Sequence, residues 1–146
     1  MGSLMTLASA LAKSGIITWV AEGASGIISS MGLGWVGSAL ILLVFYTYIH
    51  YCFASVTARI SALYAAFIAV TVAVGAPPLL TAIVFGIFAD VPISLTHYGN
   101  GCAPIYFGGN YVSQSEWWQN GFIMTTITTV IYLTIGAAWW KVLGLW

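Results

Sequence analysis

Three Lys/Arg residues (Lys13, Arg59, Lys141) and three Asp/Glu residues (Glu22, Asp90, Glu116) are the only formal charges in 146 residues, and that scarcity decides the solvent. Soluble domains carry roughly 25% charged residues. Here 4% are charged, 61% are apolar and the mean hydropathy is +1.01. No water-facing surface can be built from such a chain, so lipid faces most of it. At about 20 residues per spanning helix the apolar length suffices for about four to six spans or half-spans. That makes one small bundle, cramped for a complete channel or carrier, and the expectation is a portion of something larger. Net charge is zero and no basic run exists, so the electrostatic footprint that holds a phosphate backbone is missing and nucleic acid is excluded as a partner. Met1–Ala12 lacks the basic n-region and cleavage site of a signal peptide. Cys52 and Cys102 lie in apolar stretches and read as small buried hydrophobes.

Along the chain, residues 4–21 read as a broken or interfacial helix ended by Glu22, and the small-residue stretch 23–34 as a chain reversal. The uncharged run from Trp35 to Tyr51 predicts a helix entering the bilayer. Ser55-Val56-Thr57-Ala58-Arg59 then reads as a polar interruption, after which Ile60–Gly75 resumes the apolar pattern until Pro77-Pro78 stops it. Two short apolar arms around a polar tip predict a hairpin that enters the membrane without necessarily crossing it, its tip satisfied by protein or water. Leu79–Ala89 is a half-length helix ended by Asp90 and Pro92. Ser94–Asn110, interrupted by Gly99, Gly101, Pro104, Gly108 and Gly109, predicts an unwound piece of a broken helix. Gly121–Trp140 is the clearest transmembrane helix, with tryptophan pairs as aromatic belts at both ends. Its Thr125, Thr126, Thr128 and Thr129 are expected to bond their own helix.

Three constellations carry chemistry. At the tip, residues 50–59, hydroxyls and helix-end amides beside a cation suit a desolvated anion; the alternative is that Ser55 and Thr57 satisfy helix ends and Arg59 snorkels. Arg59 finds no carboxylate partner among Glu22, Asp90 and Glu116, all placed at helix ends, so water or a substrate carboxylate would have to be its partner. In the broken segment, Thr96-His97-Tyr98-Gly99-Asn100-Gly101 lets backbone approach a ligand, as unwound transporter segments do; the alternative is a plain loop. Third, His50, Cys52, His97 and Cys102 could be drawn as a metal site, or the two histidines as haem ligands, although the spacings are not those of the usual zinc modules. No catalytic triad, paired carboxylates or nucleotide-binding glycine loop stands in a credible context.

HYCFASVTARISALYAAF at 50–67, SLTHYGNGCAPIYFGGNYVSQSEWW at 94–118 and GAAWWKVLGLW at 136–146 together resemble the C-terminal part of the divalent anion:sodium symporter family. The likeness is greatest to bacterial citrate/succinate antiporters and plastid 2-oxoglutarate/malate translocators. It implies an all-α integral membrane fold in which residues 1–146 are the C-terminal portion of the transmembrane domain. That portion is a second inverted repeat, with a re-entrant hairpin and a broken transmembrane helix, lacking the first repeat. Ser55-Val56-Thr57 occupies the hairpin-tip signature, and Gly99-Asn100-Gly101 through Pro104 the unwound turn. The implied substrate-binding set is Ser55, Val56, Thr57, Arg59, Gly99, Asn100 and Gly101, with no catalytic residue and no metal ligand.

The function so implied is secondary active transport, as an antiporter, of di- or tricarboxylates such as succinate, citrate, malate or 2-oxoglutarate. The implied setting is a multi-pass protein of the bacterial inner membrane, homodimeric at full length. Val56 stands where the signature has Asn, and Arg59 where the nearest branch has His. The lost side-chain oxygen favours exchange without sodium, so no cofactor is expected. Two alternatives come from other classes: a haem-binding membrane anchor of a redox enzyme, and a non-functional truncated product.

Overall fold

The structure, a computed structural model, describes Gly32 and residues 34–53 and 55–145. The helix expected over 4–21, most of the reversal at 23–34 and Ala54 in the hairpin tip lie outside the described residues. All regular structure among the described residues is helical, which is how a chain in lipid pairs its own backbone without water.

Helix α1 (Trp35–Tyr48) runs on into a 3-10 turn, Ile49–Cys52, for 18 residues in all. Its inward stripe is Ser38, Leu42, Leu43, Tyr46 and Thr47, spaced for one helical face. Leu40, Ile41, Val44 and Phe45 are exposed on the other side, where lipid replaces water as their solvent. The hydroxyl of Thr47 returns to the carbonyl of Leu43 at 2.7 Å, so a polar residue rides inside the stripe at little cost.

Helix α2 (Val56–Ala73) begins inside the polar patch that reads as an interruption. Ser55 is its N-cap, and Val56 to Arg59 form its first turn. The hairpin arms are therefore longer than the sequence suggests, each 18 residues and long and apolar enough to cross a membrane. Val74 and Gly75 close α2 in a Schellman motif: Gly75, at φ +97°, donates to the carbonyl of Val72, and Ala76 donates to that of Thr71. Pro77 and Pro78 then open helix α3 (Pro78–Ile87), Pro78 at the first helical position where its missing N–H is no loss.

Beyond α3 the backbone breaks, as expected for residues 94–110. A 3-10 turn (Val91–Ser94), an irregular turn through Gly101 and one short helix, α4 (Ala103–Phe107), lead to Asn110, which takes the left-handed conformation at φ +54°. Helix α5 (Gln114–Ile131) starts on a capping box: Ser113 Oγ accepts from the Glu116 amide, and Glu116 accepts from the Ser113 amide. Glu116 thus has a helix-end role, as its position suggests.

α5 continues through a π turn (Tyr132–Gly136) into α6 (Ala137–Val142), the whole run being 29 residues. Nothing in the apolar pattern announces the π turn. At it the Thr134 hydroxyl bonds the carbonyls of Val130, at 2.7 Å, and Ile131, competing with the backbone ladder. Thr126 bonds its own helix as expected, to the Phe122 carbonyl at 2.7 Å. Thr125 and Thr129 do not: their hydroxyls are buried and unpartnered among the described residues. The aromatic belts are also incomplete. Trp139 is exposed, but Trp140 is buried and Trp118 turns inward.

The core gathers Leu42, Leu43, Tyr46, Val70, Phe85 and Phe88 from α1, α2 and the end of α3. The Tyr46 ring lies 5.3 Å from Phe67 and 5.2 Å from Phe85, and Phe88 meets Tyr132 at 5.9 Å. α5 is brought onto the broken segment by Gly121, against which the Ser94 carbonyl and the Leu95 Cα lie so closely that a Cβ would collide with backbone. Backbone cannot rotate away. Gly121→Val should therefore destabilise the fold by about 1–3 kcal/mol, the usual range for overpacking, read as a lowered Tm in detergent. Gly101→Ala, with nothing within 4 Å of the added methyl, should leave Tm unchanged.

Candidate functional site

The hairpin tip and the unwound turn meet. The Val56 amide, first in α2, donates to the Gly99 carbonyl at 3.1 Å, joining two segments that each look incomplete in sequence. Ser55 is extended, at φ −157°, and its Oγ accepts from the Ala58 amide at a long 3.5 Å. Thr57 is exposed and its hydroxyl makes no hydrogen bond among the described residues. Val56 is half-buried and presents only methyl groups beside the backbone contact.

The seven expected site residues do not all converge. Ser55, Val56, Thr57 and Gly99 lie together at the contact. Asn100 has its side chain committed elsewhere: Oδ1 accepts from the amides of Cys102 and Ala103, both at 2.8 Å, and Nδ2 donates to the Ile93 carbonyl at 2.9 Å. It shapes the turn and caps the start of α4, which leaves backbone rather than its amide group for a ligand. Gly101 is exposed beside it, in open space.

Arg59 departs most from expectation. Its side chain is fully buried. Nη1 donates to the Tyr46 carbonyl at 2.8 Å, and Nη2 donates to the carbonyls of Ala89 and, at 3.4 Å, Phe88. The guanidinium carbon also stands 4.6 Å from the centre of the Tyr46 ring. Search among carboxylates therefore looks for the wrong partner. The cation sits where the carbonyls just past the C-terminus of α3, at the negative end of a helix dipole, would otherwise face apolar surroundings. A fork of donors can serve two helices at once, which an ammonium cannot.

Behind the turn, His50 and Thr96 are fully buried and pack onto Gly99. A Cβ there would overlap His50 Nε2 and lie 2.6 Å from Thr96 Oγ1. Gly99 is needed because an imidazole and a hydroxyl occupy its side-chain space. Haem ligation by His50 and His97 would require both rings to face one gap, but His50 Nε2 abuts Gly99 with no opening. His97 sits apart, among Tyr98, Phe107 and Trp118. Cys52 and Cys102 are exposed free thiols, not the buried hydrophobes expected, and the described residues gather no group of three or more His, Cys, Asp or Glu.

With this geometry in hand, comparison with known proteins assigns the family. The family model described as the sodium:sulfate symporter transmembrane region matches residues 1–146. The chain is 42% identical over 144 residues to dicarboxylate transporter 1 of Spinacia oleracea chloroplasts, covering 99% of this chain and 25% of that protein. It is 45% identical over 144 residues to YflS of Bacillus subtilis (strain 168), named for malate transport, covering 99% and 30%. It is 32% identical over 146 residues to the inner membrane protein YbhI of Escherichia coli (strain K12), covering 99% and 30%. No solved structure matches. The chain belongs to the sodium:sulfate symporter family, the divalent anion:sodium symporters that its motifs resemble, as a multi-pass membrane segment. It spans 25 to 30% of the length of these relatives.

Two outcomes check the geometry. Arg59→Leu strands three carbonyls, and each buried unsatisfied group costs about 1–3 kcal/mol, so folded yield and Tm in detergent should fall sharply, with Arg59→Lys recovering only part. Normal Tm with a change confined to substrate affinity would instead make Arg59 a ligand. Gly99→Ala should impair transport by the full-length protein, and adding His50→Ala together with Thr96→Ala should restore a substantial part by vacating the space the methyl needs.

Proposed function

We propose that this chain is the C-terminal repeat of a secondary active antiporter that exchanges di- or tricarboxylates such as succinate, malate, citrate or 2-oxoglutarate. The observation that carries it is the bond between the Val56 amide and the Gly99 carbonyl, which brings a helix N-terminus and two hydroxyls against a turn that is buried at Gly99 and becomes exposed at Gly101. Such a spot suits a desolvated carboxylate: Ser55 and Thr57 donate from the tip, α2 adds the positive end of its dipole, and the Gly99–Gly101 turn lines the opposite side. The names of the relatives in spinach chloroplasts and Bacillus subtilis support carboxylates as the class.

Exchange without sodium is the favoured mode because Val56 contributes no side-chain oxygen, and a hard cation wants several. Arg59 enters this reading from behind, holding the tip helix against α1 and α3, and not as a first contact of the substrate. A homodimer of full-length chains in a bacterial inner membrane is the setting we infer. A first repeat completes the site, so the isolated chain should move no carboxylate.

Vesicles containing the full-length protein provide the test. Uptake of labelled succinate or malate should require internal dicarboxylate and ignore sodium. Ser55→Ala and Thr57→Ala should each weaken binding, read as half-saturation, by about 1.5–3 kcal/mol, the worth of a hydrogen bond to a charged group. Uptake driven by a sodium gradient into empty vesicles would overturn the exchange mode, and unchanged half-saturation in both variants would reduce the hydroxyls to helix caps.

A further inference from the structure

His97 stands two residues before Gly99, in the same unwound segment, and its ring is unusually well fixed. Phe107 lies against it with centroids 4.5 Å apart, Tyr98 meets it edge-on at 5.0 Å, and Trp118 stacks at 6.3 Å. The indole N–H of Trp118 donates to His97 Nδ1 at 3.2 Å. An indole nitrogen can only donate, so Nδ1 must be the acceptor and the ring proton of the neutral imidazole resides on Nε2. Nε2 makes no hydrogen bond among the described residues and is not among the atoms sealed from solvent.

The cluster is tied to the arm leading into the hairpin tip. Tyr98 donates its hydroxyl to the Tyr51 carbonyl at 2.8 Å, and the Tyr51 ring lies 5.6 Å from that of Trp118. An accessible N–H of fixed tautomer therefore belongs to the same short turn, two residues before the Gly99 carbonyl that receives the Val56 amide of the spot read as holding one carboxylate. Of the neighbouring polar groups, Asn100 is held by its own turn and Tyr98 by Tyr51, while Thr96 and His50 are sealed behind Gly99.

We propose that His97 donates from Nε2 to the second carboxylate of the substrate, with Trp118 as the positioning residue that fixes its tautomer. The proposal rests on the tip as cradle of the first carboxylate, and it names the group that would distinguish a dicarboxylate from a monocarboxylate.

The experiment is succinate exchange by the full-length protein in vesicles, comparing His97→Gln, His97→Asn, His97→Phe and Trp118→Phe. A glutamine amide nitrogen reaches the position of Nε2, an asparagine nitrogen that of Nδ1, and phenylalanine keeps the ring stack without a donor. His97→Asn and His97→Phe should raise KM roughly tenfold to a hundredfold, as loss of a hydrogen bond to a charged group implies, with kcat little changed. His97→Gln should stay close to the parent. Trp118→Phe should raise KM by less than His97→Phe, since an imidazole freed of that bond still carries its proton on Nε2 for part of the time. Equal KM in all four variants overturns the proposal, as does normal KM in His97→Phe, which would reduce the ring to packing. If Ser55→Ala and Thr57→Ala raise KM while His97 variants do not, this inference falls and the cradle stands. If the parent exchanges no dicarboxylate, both fall.

Discussion

Three carbonyl oxygens, those of Tyr46, Phe88 and Ala89, come together where lipid and apolar side chains can offer them nothing, and Arg59 is what satisfies them. Backbone breaks inside a membrane bundle are tolerated only where protein or water takes up the freed groups. Here one planar fork does so for the end of α1 and the end of α3 together. Because Arg59 belongs to the first turn of α2, the same contacts set where α2 begins, and hence where Ser55, Val56 and Thr57 stand. The tip is positioned from behind by a charge that does not face it.

The second support is the absence of side chains. Gly121 lets the backbone at Ser94 and Leu95 seat directly on α5, and Gly99 lets His50 and Thr96 seat on the turn. These two contacts hold the start and the middle of the unwound segment, while Asn100 bonds back to Ile93 and forward to Cys102 and Ala103. A segment with so little regular structure is held by specific contacts at nearly every step, which is what a binding turn needs if it is to present backbone in one arrangement.

This division explains what the sequence makes legible. Long uncharged runs announce α1 and α5, the proline pair announces α3, and the glycines and Pro104 mark the break. The tip signature and the turn are legible as separate motifs. Their partnership is not, because a bond from the Val56 amide to the Gly99 carbonyl depends on no side-chain identity. Arg59 misleads for the same reason: its partners are carbonyls, which every residue has, so a search through acidic residues cannot find them. Trp118 misleads by composition, since a tryptophan at a helix end reads as an interfacial anchor, whereas this one bonds His97. The polar first turn hides the extent of α2, because it reads as a break although helix N-termini favour such residues.

A carrier must also let go of what it binds. Under the proposed function, a guanidinium facing the substrate in a site of low dielectric would hold a dianion strongly in both orientations, and the return step would slow accordingly. The difficulty does not arise there, because the only cation near the tip among the described residues is turned onto backbone carbonyls, and the contacts proposed for the anion are hydroxyls, amides and an imidazole N–H. Each of those is a modest donor, and several of them bind only when aligned. Selectivity then resides in the spacing of neutral donors and not in net attraction, so a second carboxylate at the right distance counts for more than a second negative charge.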